Sequence, residues 1–164
     1  VDQGIERIAR VKFDWIEPGI LAGSGTPVNR EDIQSLKAQG IAAIVSLTEQ
    51  PLSVKSGITS QLFEQLDIKY LFAPIPDGQP PDRERAVEIL ELIDEMTAQG
   101  RATLVHCAAG MGRTGTLLHT YFLGHGLSLD EARKKVKATR PTCNFLGLSE
   151  SQREFLTRFV PDKI

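Results

Sequence analysis

The 164 residues carry 19 Lys and Arg against 21 Asp and Glu, a formal net charge of −2, with 41% apolar and 24% charged side chains. This is ordinary globular composition, which excludes a disordered tract, a collagen-like repeat or a disulfide framework. It also excludes a global attraction to nucleic acid or to an anionic membrane surface, so any anion site must be local.

The length fits a single domain over 1–164 built around one core. No run reaches the roughly eighteen apolar residues of a membrane span. Two cysteines, Cys107 and Cys143, and an N-terminus without the apolar core of a signal peptide point to a reducing cytoplasm.

Residues 1–12 read as a short helix or an arm. Phe13–Ile16 and Ile20–Ala22 flank Glu17-Pro18-Gly19, a turn signal, and predict a strand pair at a sheet edge, with Trp15 as a core side chain. After the loop Gly23-Ser24-Gly25-Thr26-Pro27, Asn29 and Asp32 predict a helix start, with the helix running to Gln39 and stopped by Gly40. Ile41–Leu47 is apolar on both faces, the pattern of a strand inside a parallel sheet covered by helices. A polar connection over Thr48–Gly57 leads to a helix near Ile58–Leu66 and a strand over Lys69–Ile75.

Pro76-Asp77-Gly78-Gln79-Pro80-Pro81 can be neither helix nor central strand, because its prolines fix φ and remove donors. Asp82–Gln99 carries apolar residues at positions 86, 87, 89, 90, 92, 93 and 96, the period of an amphipathic helix that Gly100 stops. A strand over Ala102–Val105 and a largely buried helix over Thr114–Gly124 follow. Ser128 with Glu131 is a capping-box pattern for a helix to Thr139 that Pro141 ends, and Ser149 with Gln152 is a second, for a helix to Phe159. Strands alternating with helices from 41 to 105 predict an α/β domain, its central, mostly parallel sheet of about five strands flanked by helices.

The densest chemistry lies in VHCAAGMGRTGT at 105–116, between a predicted strand and a predicted helix. Ligands of open α/β sheets bind at the carboxyl ends of strands, where Cys107 falls. Backbone N–H groups of Ala108, Ala109, Gly110, Met111, Gly112 and Arg113 can curl around an anion, and Gly110, Gly112 and Gly115 relieve the steric limits on the curl. The following helix adds its positive end, which favours a dianion there and a thiolate at Cys107. Arg113 offers a planar fork for two phosphate oxygens and stays charged.

By pattern alone, Gly110-Met111-Gly112-Arg113-Thr114-Gly115 is also a G-x-G-x-x-G dinucleotide fingerprint. Against that reading, the acid about 20 residues on, Asp130, falls at a helix start instead of a strand end, and Cys107 is left without a role. A Walker loop is excluded, since no Lys follows the last glycine.

The spacing Cys-x5-Arg-Thr, preceded by His106 and built on glycines, resembles the signature of the cysteine-based protein tyrosine phosphatases, and within them the small dual-specificity branch. ILAGS at 20–24, IVSLTE at 44–49, PIPDG at 74–78 and a glutamine in the last helix fall in that family's order, so the resemblance covers roughly 13–159. It implies a protein tyrosine phosphatase-like fold and a metal-independent, cofactor-free phosphatase. Its substrates would be proteins phosphorylated on tyrosine and on serine or threonine. Charge, cysteine usage and the lack of an apolar span add the expectation of a cytoplasmic chain without nucleic-acid or membrane partners, taken as a monomer.

The resemblance implies Cys107 as the nucleophile that forms a phosphocysteine, Arg113 as the holder of the phosphoryl oxygens and Asp77 as general acid, then base. It further implies that Thr114 hydrogen-bonds the sulfur, that His106 stabilises the thiolate through the loop backbone, that Gln152 positions the attacking water and that Glu49 braces the arginine. Pro74, Pro76, Pro80 and Pro81 suggest a stiff acid loop with Asp77 already in place.

Plainer readings stand beside these. Asp77 before Gly78 is also an ordinary turn residue, with Asp82 as the reserve acid, itself readable as a helix start. Gln152 is equally a capping residue. Cys143 reads as a small inert hydrophobe, with redox pairing to Cys107 as its alternative. His119 and His125 read as core or helix-end residues and Arg140 as a solvated helix end, and no Cys/His cluster has the spacing of a zinc site. Lipid-directed members of the tensin-homologue type carry lysines inside the loop where this chain has Ala108 and Met111. This counts against phosphoinositide hydrolysis, which stands with other small phosphomonoester hydrolysis as an alternative, beside a non-catalytic phosphoprotein-binding module and a sulfurtransferase-like or arsenate-reducing enzyme.

Overall fold

The computed structural model describes residues 8–160, so most of the expected N-terminal helix or arm lies outside the described residues, which hold a helical turn at 8–10. Five strands form one sheet: β1 (Asp14–Glu17), β2 (Leu21–Ser24), β3 (Ile41–Ser46), β4 (Lys69–Phe72) and β5 (Ala102–His106). Their order is β1-β2-β5-β3-β4, with β1 antiparallel to β2 and every other pairing parallel. The expected strand pair is present at one edge of the sheet, with β1 outermost and β2 pairing onward with β5.

Alternate residues of the inner strands feed two cores, as the two-residue period of a strand requires. Ala22, Ile44 and Leu104 pack with Ile33 and Leu36 of α1 (Arg30–Ala38) and Leu62 and Phe63 of α2 (Ser60–Gln65). Leu21, Val45 and Val105 pack on the other face. There they meet α3 (Arg83–Ala98), α4 (Gly112–Gly124), α5 (Leu129–Thr139) and α6 (Glu150–Arg158), through Ile89, Leu117, Val136 and Leu156 respectively. Burial on both faces is what the unbroken apolar run of β3 predicts. Trp15 is half-buried against the first of these cores.

Helix boundaries follow local capping. Asn29 accepts from the Asp32 N–H, and Ser128 with Glu131 and Ser149 with Gln152 form complete capping boxes. α2 is shorter than expected because Thr59 caps it by accepting from the Leu62 N–H at 3.1 Å. β4 stops at Phe72, although Ala73 and Ile75 still donate to Ser46 and Leu47 carbonyls at 2.9 and 3.0 Å. Pro74 between them has no N–H to offer. α4 starts two residues early, since Gly115 N–H already donates to the Met111 carbonyl at 2.7 Å. Short 3₁₀ turns at Leu52–Val54, Pro141–Cys143 and Phe145–Gly147 carry no periodic signal and were not expected.

Candidate active site

β5 lies between β2 and β3, so the loop leaving its carboxyl end at Cys107 emerges at the middle of the sheet. The β2–α1 connection props this loop from one side. Thr26 donates its N–H to the Ala108 carbonyl at 3.1 Å and its hydroxyl to the Cys107 carbonyl at 3.0 Å. Of the three glycines expected to ease the curl, Gly110 alone has a left-handed φ, +73°. Gly112 and Gly115 are helical, and Gly115 admits Cys143 and Leu148, whose atoms would lie 3.1 Å from an added Cβ.

Cys107 is 3% exposed, and its Sγ accepts the Thr114 hydroxyl at 3.1 Å. Arg113 is equally buried, and the protein holds it by one nitrogen. Its Nη1 donates to the Ile75 carbonyl at 2.9 Å, to the Leu47 carbonyl at 3.3 Å and to the Glu49 carboxylate. Nε is buried and has no partner, and Nη2 lies 3.7 Å from Asp77 Oδ1. A buried donor left unmade is costly, so the Nε/Nη2 edge is set for an acceptor that enters the site.

His106 is the last residue of β5 and fully buried. Burial, aided by the Arg113 charge, lowers its pKa to about 4, so the ring is neutral at neutral pH. Its Nδ1 faces the Cys107 carbonyl at 3.3 Å and must therefore be the protonated nitrogen. Nε2 is left to accept the Ser46 hydroxyl at 2.5 Å, and Ser46 Oγ accepts from Tyr70 Oη at 2.8 Å. Tyr70 Oη in turn accepts the Leu52 N–H at 3.0 Å. Ser46 and Tyr70 escape sequence reasoning because they reach His106 only through the β4-β3-β5 pairing.

Asp77 is 88% exposed at a turn in which Gln79 N–H donates to the Pro76 carbonyl at 3.0 Å. Its loop is tied to the start of α6: Ser149 and Ser151 hydroxyls donate to the Gly78 carbonyl at 2.7 and 3.3 Å. Asp82 is instead the N-cap of α3, accepting the Arg85 N–H at 2.7 Å. The structure thus brings Asp77 to Arg113 and commits Asp82 to a helix. Gln152 takes the capping place and also reaches between the two loops. Its Oε1 accepts the Ser149 N–H at 3.0 Å, while its Nε2 donates to the Gln79 carbonyl at 3.4 Å and lies beside Gly112.

Arg140 departs from expectation. It is 1% exposed, because Pro141 ends α5 and a 3₁₀ turn carries the chain back under the loop after β5. Its Nε donates to the Gly110 carbonyl at 2.9 Å, and its Nη1 reaches the Asp14 carboxylate at 2.8 Å as well as the Lys12 carbonyl. Cys143 is buried with a free thiol that donates to the same Gly110 carbonyl at 3.1 Å, and burial pushes its pKa up to about 11. His119 is buried with Nδ1 at the Gly115 carbonyl, and His125 at the end of α4 meets Asp94; neither joins the site.

Side chains of Ala108, Ala109 and Met111 form the exposed rim of the loop and carry no charge. Among the described residues no group of three or more His, Cys, Asp or Glu side chains could hold a metal ion, and no helix is long and apolar enough to cross a membrane.

Residues 10–155 match the family described as Swiss Army Knife protein, DSP-PTPase phosphatase domain. Dual specificity protein phosphatase 15 of Homo sapiens is 29% identical over 133 residues, covering 80% of this chain and 41% of that protein. Phosphatidylglycerophosphate phosphatase PTPMT2 of Arabidopsis thaliana is 27% identical over 149 residues, covering 90% of this chain and 62% of that protein. The first curated relatives are longer, and the match spans 20–62% of their length. Among solved structures, Tk-PTP in the active form is 30% identical with a TM-score of 0.73 over 88% of this chain and 93% of its own.

Proposed function

This chain belongs to the DSP-PTPase phosphatase family, and from that premise we propose that it hydrolyses phosphotyrosine and phosphoserine or phosphothreonine in proteins through a phosphocysteine intermediate. The observation that carries the reading is the half-satisfied Arg113. One nitrogen is anchored by two carbonyls and Glu49, while a buried Nε without a partner shares its fork edge with Nη2. That edge matches two oxygens of a phosphoryl group.

In the first step Cys107 Sγ attacks phosphorus and the bond from phosphorus to the ester oxygen breaks. Asp77 gives its proton to the departing oxygen. In the second step the Asp77 carboxylate takes a proton from water, the water oxygen bonds to phosphorus, and the P–S bond breaks to return the thiolate. The Thr114 hydroxyl stabilises that leaving sulfur, and Gln152, between the phosphate loop and the acid loop, orients the water. Charge on the three equatorial oxygens is met by Arg113 and by the loop N–H groups from Ala108 to Arg113. His106 acts through the Cys107 carbonyl, whose acceptor capacity it occupies, keeping that peptide turned so that its oxygen is directed away from the sulfur. No metal enters this sequence of steps.

The uncharged rim of Ala108, Ala109 and Met111 favours protein over polyphosphorylated lipid substrates, which would call for additional cations. A second reading, a phospholipid monoester as substrate, is favoured by the likeness to the Arabidopsis phosphatidylglycerophosphate phosphatase. A reducing cytoplasm suits the two free thiols, and we take the chain to act there as a monomer, without nucleic acid or membrane.

A panel of phosphotyrosine and phosphothreonine peptides, phosphatidylglycerophosphate and phosphoinositide, each with and without chelator, tests the reading. Peptide turnover insensitive to chelator, lost in Cys107→Ser while phosphate still binds, is the expected result. Full activity in Cys107→Ser, or loss with chelator, would overturn the mechanism, and turnover of the lipid alone would select the second reading.

A further inference from the structure

Gly110 sits at the apex of the phosphate loop, the only residue between Cys107 and Arg113 with a left-handed φ. Its backbone is pressed against the Ser24 carbonyl and Arg140, whose Nη2 would lie 2.5 Å from an added Cβ. Two buried donors converge on its carbonyl oxygen, Arg140 Nε at 2.9 Å and Cys143 Sγ at 3.1 Å. A peptide unit is planar and trans, so a bond that fixes the Gly110 carbonyl also fixes the Met111 N–H on the opposite side. Gly is also the residue whose peptide turns over most readily, since both signs of φ are open to it. A turned-over Gly110–Met111 peptide would present a carbonyl lone pair where the dianion needs an N–H.

Arg140 is itself held firmly. The Asp14 carboxylate, the Lys12 carbonyl and the Gly23 carbonyl all accept from its Nη1, which ties the loop apex to β1, β2 and the segment before them. Arg113 meets substrate from one side of the loop, whereas the hydrogen bonds of Arg140 go to protein acceptors, the Gly110, Lys12 and Gly23 carbonyls and the Asp14 carboxylate, so it acts on the loop through Gly110. A buried charge with this many directed bonds far exceeds what a solvated helix end requires.

We propose that Arg140 is a positioning residue of the phosphatase reaction: with Cys143 as second donor, it holds the Gly110 carbonyl outward so that the Met111 N–H faces the phosphoryl oxygens. The inference deepens the phosphatase reading and rests on it for its catalytic consequence. Its structural content is a claim about the affinity of the loop for a dianion, which is measurable without turnover.

The test uses the full chain, inorganic phosphate as the bound ligand read by calorimetry, and p-nitrophenyl phosphate as substrate. Arg140→Met keeps the length and apolar stem but removes every donor. It should raise the phosphate Kd and the KM together by roughly tenfold to a hundredfold, the factor that one charge-assisted hydrogen bond represents. Circular dichroism and thermal melting establish that the variant is folded at the assay temperature. A role confined to stability would lower the melting temperature and leave Kd unmoved, and that result in a folded Arg140→Met protein overturns the proposal. If Arg140→Met does not fold, Cys143→Ala decides: it removes only the weaker donor and should raise the same Kd severalfold, and an unchanged Kd overturns the proposal. Absence of turnover in the wild-type chain would count against the phosphatase reading alone, because the Kd values decide the role of Arg140 independently.

Discussion

The Thr114 hydroxyl donates to Cys107 Sγ at 3.1 Å, across a loop whose two ends are the end of β5 and the first turn of α4. A donor to sulfur matters most when sulfur carries charge, and in the proposed cycle that is when the thiolate departs from phosphorus. Thr114→Ala should therefore slow breakdown of the phosphocysteine by roughly tenfold to a hundredfold, the range expected for a hydrogen bond to a charged group. Rapid-mixing measurements on p-nitrophenyl phosphate should show a burst of phenolate followed by slow turnover. A uniform slowing without a burst would place the bond in the first step instead.

Asp77 and Asp82 separate by leaving-group dependence. Asp77→Asn should slow an alkyl phosphate far more than a good aryl one, since only the poorer leaving group needs the proton. Asp82→Ala should leave that dependence untouched and instead cost about 1 kcal/mol of stability in denaturant unfolding, because it removes the N-cap of α3. The reverse pattern would exchange their roles.

His106 makes stability depend on pH. Its pKa falls from 6.5 to about 4 on folding, so between these values the unfolded chain binds a proton that the native protein refuses. Stability from this group is fully present above pH 6.5 and is lost as the pH drops toward 4, by roughly 3 kcal/mol in all. Urea unfolding of the wild-type chain and of His106→Gln across that window measures it. The variant should start less stable and show a shallower decline, and equal slopes would contradict a buried neutral ring.

Gly110→Ala should be more damaging than Gly126→Ala. Both residues have positive φ, +73° and +89°, but an added Cβ at Gly126 meets nothing within 4 Å, whereas at Gly110 it strikes the Ser24 carbonyl and Arg140. The Gly126 variant should lose about 1 kcal/mol from backbone strain alone, with phosphate affinity intact. The Gly110 variant should lose more than that together with phosphate affinity. Calorimetry and melting curves on the pair check both.

Much of this molecule is written locally. The apolar runs of β3 and β5, the caps at Asn29, Ser128 and Ser149 and the proline-rich connection at 76–81 depend on residues a few positions apart, which is the reach of a helical turn or a strand's alternation. The Cys-x5-Arg spacing is local as well, and it suffices to indicate an anion loop with a nucleophile. The three 3₁₀ turns were not legible, being shorter than any period that could announce them.

What tertiary structure alone decided are the partnerships across the sheet. Ser46 finds His106 because β3 pairs with β5, at a separation of 60 residues. Arg140 finds Asp14 across 126 residues and the Gly110 carbonyl across 30, which turns an apparent surface charge into a buried donor to the loop after β5. Composition and periodicity report whether a side chain favours water or a core. Whether a buried charge is tolerated depends on which acceptors the strand order brings within about 3 Å of it, and that order is a property of the whole sheet.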